Sequence, residues 1–149
     1  MSMSGRGAAL LVALAFVVPM SIGFAIDAVN ARRPAPLGPG LVTVEMLMRY
    51  SRFTTDEIRV YEGTLVRFEV VNRDPIHHEL IVGPERVHAT HERGHDKHHP
   101  PVPGEVSVKP GERGLTTFRF DEPGTVVFAC HLPGHLGYGM RGEVVVKEA

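Results

Sequence analysis

From Leu41 the chain alternates. Val42, Val44 and Met46 fall on one side against Thr43, Glu45 and Leu47, the period-two pattern of a strand with one buried face. After a turn at Glu62-Gly63 the pattern returns over Thr64 to Val71, where Val66, Phe68 and Val70 alternate with Arg67 and Glu69. Shorter apolar runs follow at Glu79–Val82, Glu105–Lys109, Leu115–Phe120, Thr125–Cys130 and Gly142–Lys147, and Ser51–Val60 reads as a weaker strand. Pro103-Gly104, Pro110-Gly111 and Pro123-Gly124 punctuate them. Short strands separated by turn residues predict an all-β fold of 7–8 strands, an antiparallel sandwich or small barrel. Met46 and Met48 share one strand face and are expected in its core.

Two stretches break this rhythm. Ala8 to Ile26 carries no charge and follows Arg6, the pattern of a secretory signal or of an uncleaved anchor just long enough to span a bilayer. Arg32 and Arg33 follow it, and positive charge tends to stay inside. Residues 1–31 are therefore expected to be a signal peptide or membrane anchor, with a membrane tether at residues 8–26. Residues 32–40 would be a Pro/Gly linker, and residues 41–149 the folded domain. That domain is expected outside the cytoplasm, in the periplasm or at the cell surface. The second break, Pro84 to His99, holds His88, His91, His95, His98 and His99. It is too polar for a core strand and reads as a functional loop.

Composition narrows the chemistry. Sixteen Lys and Arg nearly cancel 17 Asp and Glu, leaving a formal charge of −1, so the basic footprint of a nucleic-acid binder is missing. One cysteine among 149 residues excludes an internal disulfide scaffold and a four-thiolate metal knuckle. The nine histidines ask for a reason.

The segment Ala129-Cys-His-Leu-Pro-Gly-His-Leu-Gly-Tyr-Gly-Met140 supplies one. Cys130, His135 and Met140 follow one another at equal spacing on a loop between two apolar strands. Thiolate, imidazole and thioether are soft or borderline donors. With one more histidine they compose a trigonal site of two imidazoles and a thiolate with a weak axial Met, the blue-copper arrangement. The missing donor is expected from the pair His77-His78. Each residue alone would read as structural; their conjunction in an exported chain, where a bare thiol is at risk of oxidation, points to metal. Asn72 and Asp74 are expected to tie the loop before His78. Glu79 should face away from the metal.

This segment resembles the metal loop of cupredoxins, particularly the azurin and plastocyanin group, and Asn72-Arg-Asp-Pro-Ile-His-His-Glu-Leu-Ile-Val-Gly83 resembles the strand that carries their first ligand. The resemblance spans about residues 41–147. It implies a cupredoxin-like antiparallel Greek-key β-sandwich holding one type 1 copper ion. The ligands it implies are His78, Cys130, His135 and Met140, with His135 the exposed one. The loop is also similar to that of multicopper oxidases, whose cysteine is flanked by two histidines. Here Ala129 takes the place of one of them, which leaves His131 as a solvent-facing residue or one just behind the ligands, or else as a contact to a partner or second metal.

The expected function is single-electron transfer through this copper, without enzymatic activity. Redox proteins would dock on the apolar patch around His135 formed by Leu132, Pro133, Gly134, Leu136 and Gly137. The alternative is extracytoplasmic copper trafficking or storage, with a second labile metal at the His88–His99 loop. Histidines three and four apart align on a helical turn.

Overall fold

The computed structural model describes residues 34–94 and 101–149. The leader at residues 1–31 with its tether at 8–26, and His95, His98 and His99, lie outside them. No helix among the described residues is long and apolar enough to cross a membrane.

Eight strands and one helix follow in order among the described residues. They are β1 (Gly40–Met48), β2 (Glu57–Tyr61), β3 (Thr64–Asn72), β4 (His78–Gly83), α1 (Glu85–Glu92), β5 (Glu105–Val108), β6 (Arg113–Phe120), β7 (Gly124–Ala129) and β8 (Arg141–Lys147). Each predicted strand is present within a few residues of its expected place, except that the weak one at Ser51–Val60 begins only at Glu57. Alternation decides the faces: Val66, Phe68 and Val70 of β3 are fully buried, while Arg67 and Glu69 between them pair at 3.3 Å on the outside. Met46 and Met48 are both buried, as core residues.

The strands form two sheets, one ordered β1-β3-β6 and the other β2-β8-β7-β4-β5. Their inner faces share one hydrophobic cluster, with Met46, Phe68 and Phe120 from the first and Val60, Leu80, Phe128 and Val144 from the second. This is a β-sandwich, but not a purely antiparallel one. Pairs β3–β6, β4–β5, β4–β7 and β7–β8 are antiparallel, whereas β1–β3 and β2–β8 are parallel. The cause lies in the path of the chain. It leaves β1 for β2 in the opposite sheet and returns at Glu62-Gly63 to β3. Two reversals bring β3 alongside β1 in the same direction. A turn signal marks where a chain reverses, not which sheet it enters.

Two other expectations need correction. The linker does not run to residue 40: Leu37 exchanges backbone hydrogen bonds with Arg59 and Tyr61 at 2.8 and 2.9 Å, and β1 already begins at Gly40. Part of the predicted loop at 84–99 is the helix α1. Pro84 sets its N-terminal φ at −69°, and Glu85 in the first turn faces the positive end of the helix dipole. Its periodicity was hidden because the residue it buries is His88, which a hydropathy pattern counts as polar.

Close approach of the strands that carry the metal loop is visible at Gly142, which faces Phe128 across β7–β8. A Cβ here would strike the Phe128 ring and the Asp56 carbonyl, and Phe128 is itself held edge-on to Phe53 at 5.3 Å. Gly142→Ala should destabilise the fold by about 1–3 kcal/mol, the usual range for overpacking a filled core. A urea midpoint unchanged from wild type would contradict this packing.

Candidate metal centre

The site is built where the start of β4 meets the loop joining β7 to β8. His77 and His78 are consecutive, so strand geometry points them oppositely. His77 is exposed and His78 is 1% exposed, which selects His78 from the pair. Cys130 follows β7 directly and is fully buried.

The loop closes on itself through its backbone. The Cys130 N–H donates to the Met140 carbonyl at 3.1 Å, the Met140 N–H to the His135 carbonyl at 2.9 Å, and the His135 N–H to the Leu132 carbonyl at 3.0 Å. Gly134 and Gly139 take φ of 85° and 86°, a left-handed conformation that glycine adopts without a Cβ penalty, and this lets the loop turn tightly enough. Donor atoms of His78, Cys130 and His135 come within 4.8 Å of one another. His135 Nδ1 lies 3.2 Å from His78 Nδ1 and 3.2 Å from the Cys130 sulfur. Met140 is buried in the core cluster that contains Cys130, its backbone bonded to both Cys130 and His135.

The proton on His78 is placed by Asp74, whose Oδ2 accepts from His78 Nε2 at 2.8 Å. A carboxylate only accepts, so Nε2 carries the hydrogen and Nδ1 offers its lone pair to the site. Asp74 is anchored in turn. Its two oxygens accept the N–H groups of Tyr50 and Ser51 at 2.7 and 2.8 Å, and its own N–H donates to the Asn72 side chain at 2.9 Å. The Asn72 amide donates onward to the Ile76 and Val108 carbonyls at 2.7 and 2.9 Å. The expectation that Asn72 and Asp74 tie this loop therefore holds, and Asp74 additionally reaches the ligand. Burial opposes ionisation of Asp74, but the Ser51 and Tyr50 amides and then His78 outweigh it and hold the carboxyl below its usual range.

At the sulfur the balance goes the other way. Burial pushes the Cys130 thiol up, against the N–H groups of Glu79 and Leu132 that favour the thiolate, and the Glu79 charge adds to the rise. The result is an increase from 9.0 to about 11. Burial, with His78 beside it, holds His135 below its ordinary value, while Asp74 pulls the other way. Two nitrogens and one sulfur thus converge in a place that disfavours charged thiolate without a cation. That donor set fits a soft or borderline metal with trigonal N₂S ligation. Glu79 is not among the donors. It is half-buried and its carboxylate accepts the His131 N–H at 2.8 Å.

Of the remaining histidines, His88 and His91 lie on α1, and His131 packs against both, with ring centroids 5.1 and 5.8 Å away. Sequence reasoning placed His88 and His91 together but not His131 with them. The signal was its position directly after Cys130, where alternation turns it to the opposite side.

Comparison with known proteins agrees with this geometry. Residues 42–147 match the family model for copper binding proteins of the plastocyanin/azurin family. The copper-resistant cuproprotein CopI of Rubrivivax gelatinosus is 34% identical over 119 residues, covering 77% of this chain and 72% of that protein. CopI of Vibrio cholerae is 30% identical over 87 residues, covering 56% of this chain and 52% of that protein. The solved structure of auracyanin B superposes with a TM-score of 0.60 at 25% identity, covering 76% of this chain and 93% of that one.

The buried thiol can be tested without metal. In the apo-protein the ultraviolet absorbance of the thiolate should grow in near pH 11. Because the ordinary thiol value is 9.0, its contribution to stability is complete below that pH and declines as pH rises toward the folded value. A folded-state midpoint at the ordinary thiol value would place the sulfur in water.

Proposed function

The chain belongs to the plastocyanin/azurin family of copper-binding proteins, and from that premise we propose that it is an extracytoplasmic single-electron carrier rather than an enzyme. Its ligands are His78, Cys130, His135 and the weak axial Met140. The observation that carries this reading is the convergence of two imidazole nitrogens and one thiol sulfur inside the sandwich. Bound copper would supply a one-electron couple; the chain supplies the constraint. Asp74 fixes the tautomer of His78, the loop backbone fixes the span from Cys130 to Met140, and burial excludes water from the sulfur. Donors held this way need little rearrangement between oxidation states.

The exposed end of the site supports a transfer route. His78 and Cys130 are sealed, whereas His135 is half-buried, with Pro133 and Gly134 exposed beside it. Leu132 and Leu136 are half-buried, and Tyr138 is 74% exposed. This apolar rim suits brief docking of a redox protein, where a small, weakly charged patch permits fast release. Export is supported by the uncharged stretch at residues 8–26.

A second reading is favoured by the relatives: proteins named copper-resistant cuproproteins are 34% and 30% identical to this chain. On that reading the site holds copper for tolerance, as a trafficking or storage protein.

Adding Cu(II) to the reduced apo-protein should produce an intense thiolate-to-copper band that is absent in Cys130→Ser. A folded, reduced sample without that band would falsify the type 1 assignment. Reversible voltammetry with rapid self-exchange favours the carrier. Copper leaving readily for an acceptor, with sluggish exchange, favours copper handling.

A further inference from the structure

The turn after β1 is built against the preference of its residues. Tyr50 and Ser51 both take left-handed backbone, at φ of 56° and 50°, in a two-residue turn where glycine and asparagine are usual. Arg49 and Arg52 close it on each other: the Arg49 N–H donates to the Arg52 carbonyl at 2.9 Å, and the Arg52 N–H to the Arg49 carbonyl at 3.2 Å. Tyr50 consequently stands 77% exposed. The Arg49 guanidinium lies 4.7 Å from its ring centroid and donates to its hydroxyl at 3.0 Å. An aromatic ring and a cation are displayed together in water, where the core has no use for either.

This turn borders the exposed end of the metal centre. A Cβ on Gly134 would meet the Tyr138 ring at 3.1 Å, and one on Gly139 would stand 3.8 Å from the Arg52 guanidinium carbon. Arg52 therefore adjoins the loop that carries His135. Arg73 donates its N–H to the Met48 carbonyl at 2.8 Å and adds a third exposed cation next to Arg49. The ion pairs among the described residues include none of the three. The exposed acids of this end are engaged elsewhere. Asp56, Glu57 and Glu143 line a hollow with Arg141, and Glu112 has Lys109 and Arg113 close by in the chain.

We propose that the redox protein docking on the His135 rim is acidic at its contact face, and that Arg49, Arg52 and Arg73 receive its carboxylates while Tyr50 and Tyr138 pack against it. The proposal rests on the carrier reading and adds to it the sign and the position of the partner's charge. Guanidinium groups meet carboxylates with two parallel hydrogen bonds, and Arg and Tyr are the side chains that interfaces favour. The rim itself is uncharged, so cations on one side of it steer and orient the encounter without locking the complex. An occupant at the open end of an electron route must carry a redox centre, which selects a protein over a lipid surface.

The copper-loaded, reduced full chain is mixed in a stopped-flow instrument with cytochrome c, whose surface is basic, and with the same cytochrome succinylated at its lysines, whose surface is acidic. At low salt, transfer to the acidic form should be faster by about tenfold or more and should slow as salt rises; transfer to the basic form should quicken with salt. Arg49→Gln/Arg73→Gln should keep the thiolate band, lose about tenfold with the acidic form and flatten its salt dependence. Arg86→Gln/Lys147→Gln removes the same charge beyond the ends of β4 and β8 that point away from the metal centre, and should leave both rates within about twofold. Equal transfer to the two forms, no salt dependence with the acidic one, or equal losses in the two double variants would each overturn the acidic partner. So would phosphatidylglycerol vesicles that bind wild type and not Arg49→Gln/Arg73→Gln, since the surface would then face a membrane. Transfer to neither form would sink the carrier reading itself, and this partner with it.

Discussion

The metal centre depends on the hydrogen bond from His78 to Asp74. An imidazole can present either nitrogen, and nothing about burial alone chooses between them. The Asp74 carboxylate makes the choice by accepting at Nε2, leaving Nδ1 to meet His135 and Cys130. Its other contacts explain why it is placed so firmly. Tyr50 and Ser51, which donate to it, stand at φ of 56° and 50°, a left-handed conformation that costs roughly 1–2 kcal/mol per non-glycine residue. Hydrogen bonds to a charged acceptor are worth about 1.5–3 kcal/mol each, enough to hold that turn. One carboxylate thereby couples the turn after β1, the end of β3 and the start of β4.

The other two donors are held by a different means. Cys130 and His135 lie on a short loop whose ends are bonded through Met140, and whose turns rest on glycine backbone. Here closeness comes from chain length and backbone hydrogen bonds rather than from a charged anchor. The two arrangements meet inside the sandwich, where the filled core resists adjustment. Two imidazoles and a thiol are thus brought together by the fold. With the thiol raised to about 11, a metal ligating the sulfur at neutral pH must displace its proton.

How much of this could be read from the chain differs by kind of interaction. Local periodicity located every strand and both buried methionines, because a strand needs only its own residues to show which side is apolar. The pairing of β1 with β3 and of β2 with β8 was not legible, since the direction of a neighbour depends on crossings between sheets. Cys130, His135 and Met140 were legible because they share one loop. His78 was legible only as a member of a pair, and strand register separated it from His77. Asp74 read as a turn residue; its reach to Tyr50 and Ser51, over 20 positions away in sequence, could not be seen. His88 hid a helix because it is a polar residue serving a buried role, bonded to two carbonyls.

The peptide bond between Cys130 and His131 divides two chemistries. Consecutive residues near a strand end face opposite ways, and the two faces carry different groups: the Cys130 sulfur beside His135 on one, and His131 packed against His88 and His91 on the other. A buried sulfur with two imidazoles suits a soft or borderline metal. The distinction follows from packing. The Cys130 side is sealed by the core, and a sulfur there is protected from solvent and oxidant. The His131 side is closed by a short polar helix whose His91 remains partly accessible. One strand end thus separates a sulfur sealed inside the core from a histidine that packs under the helix.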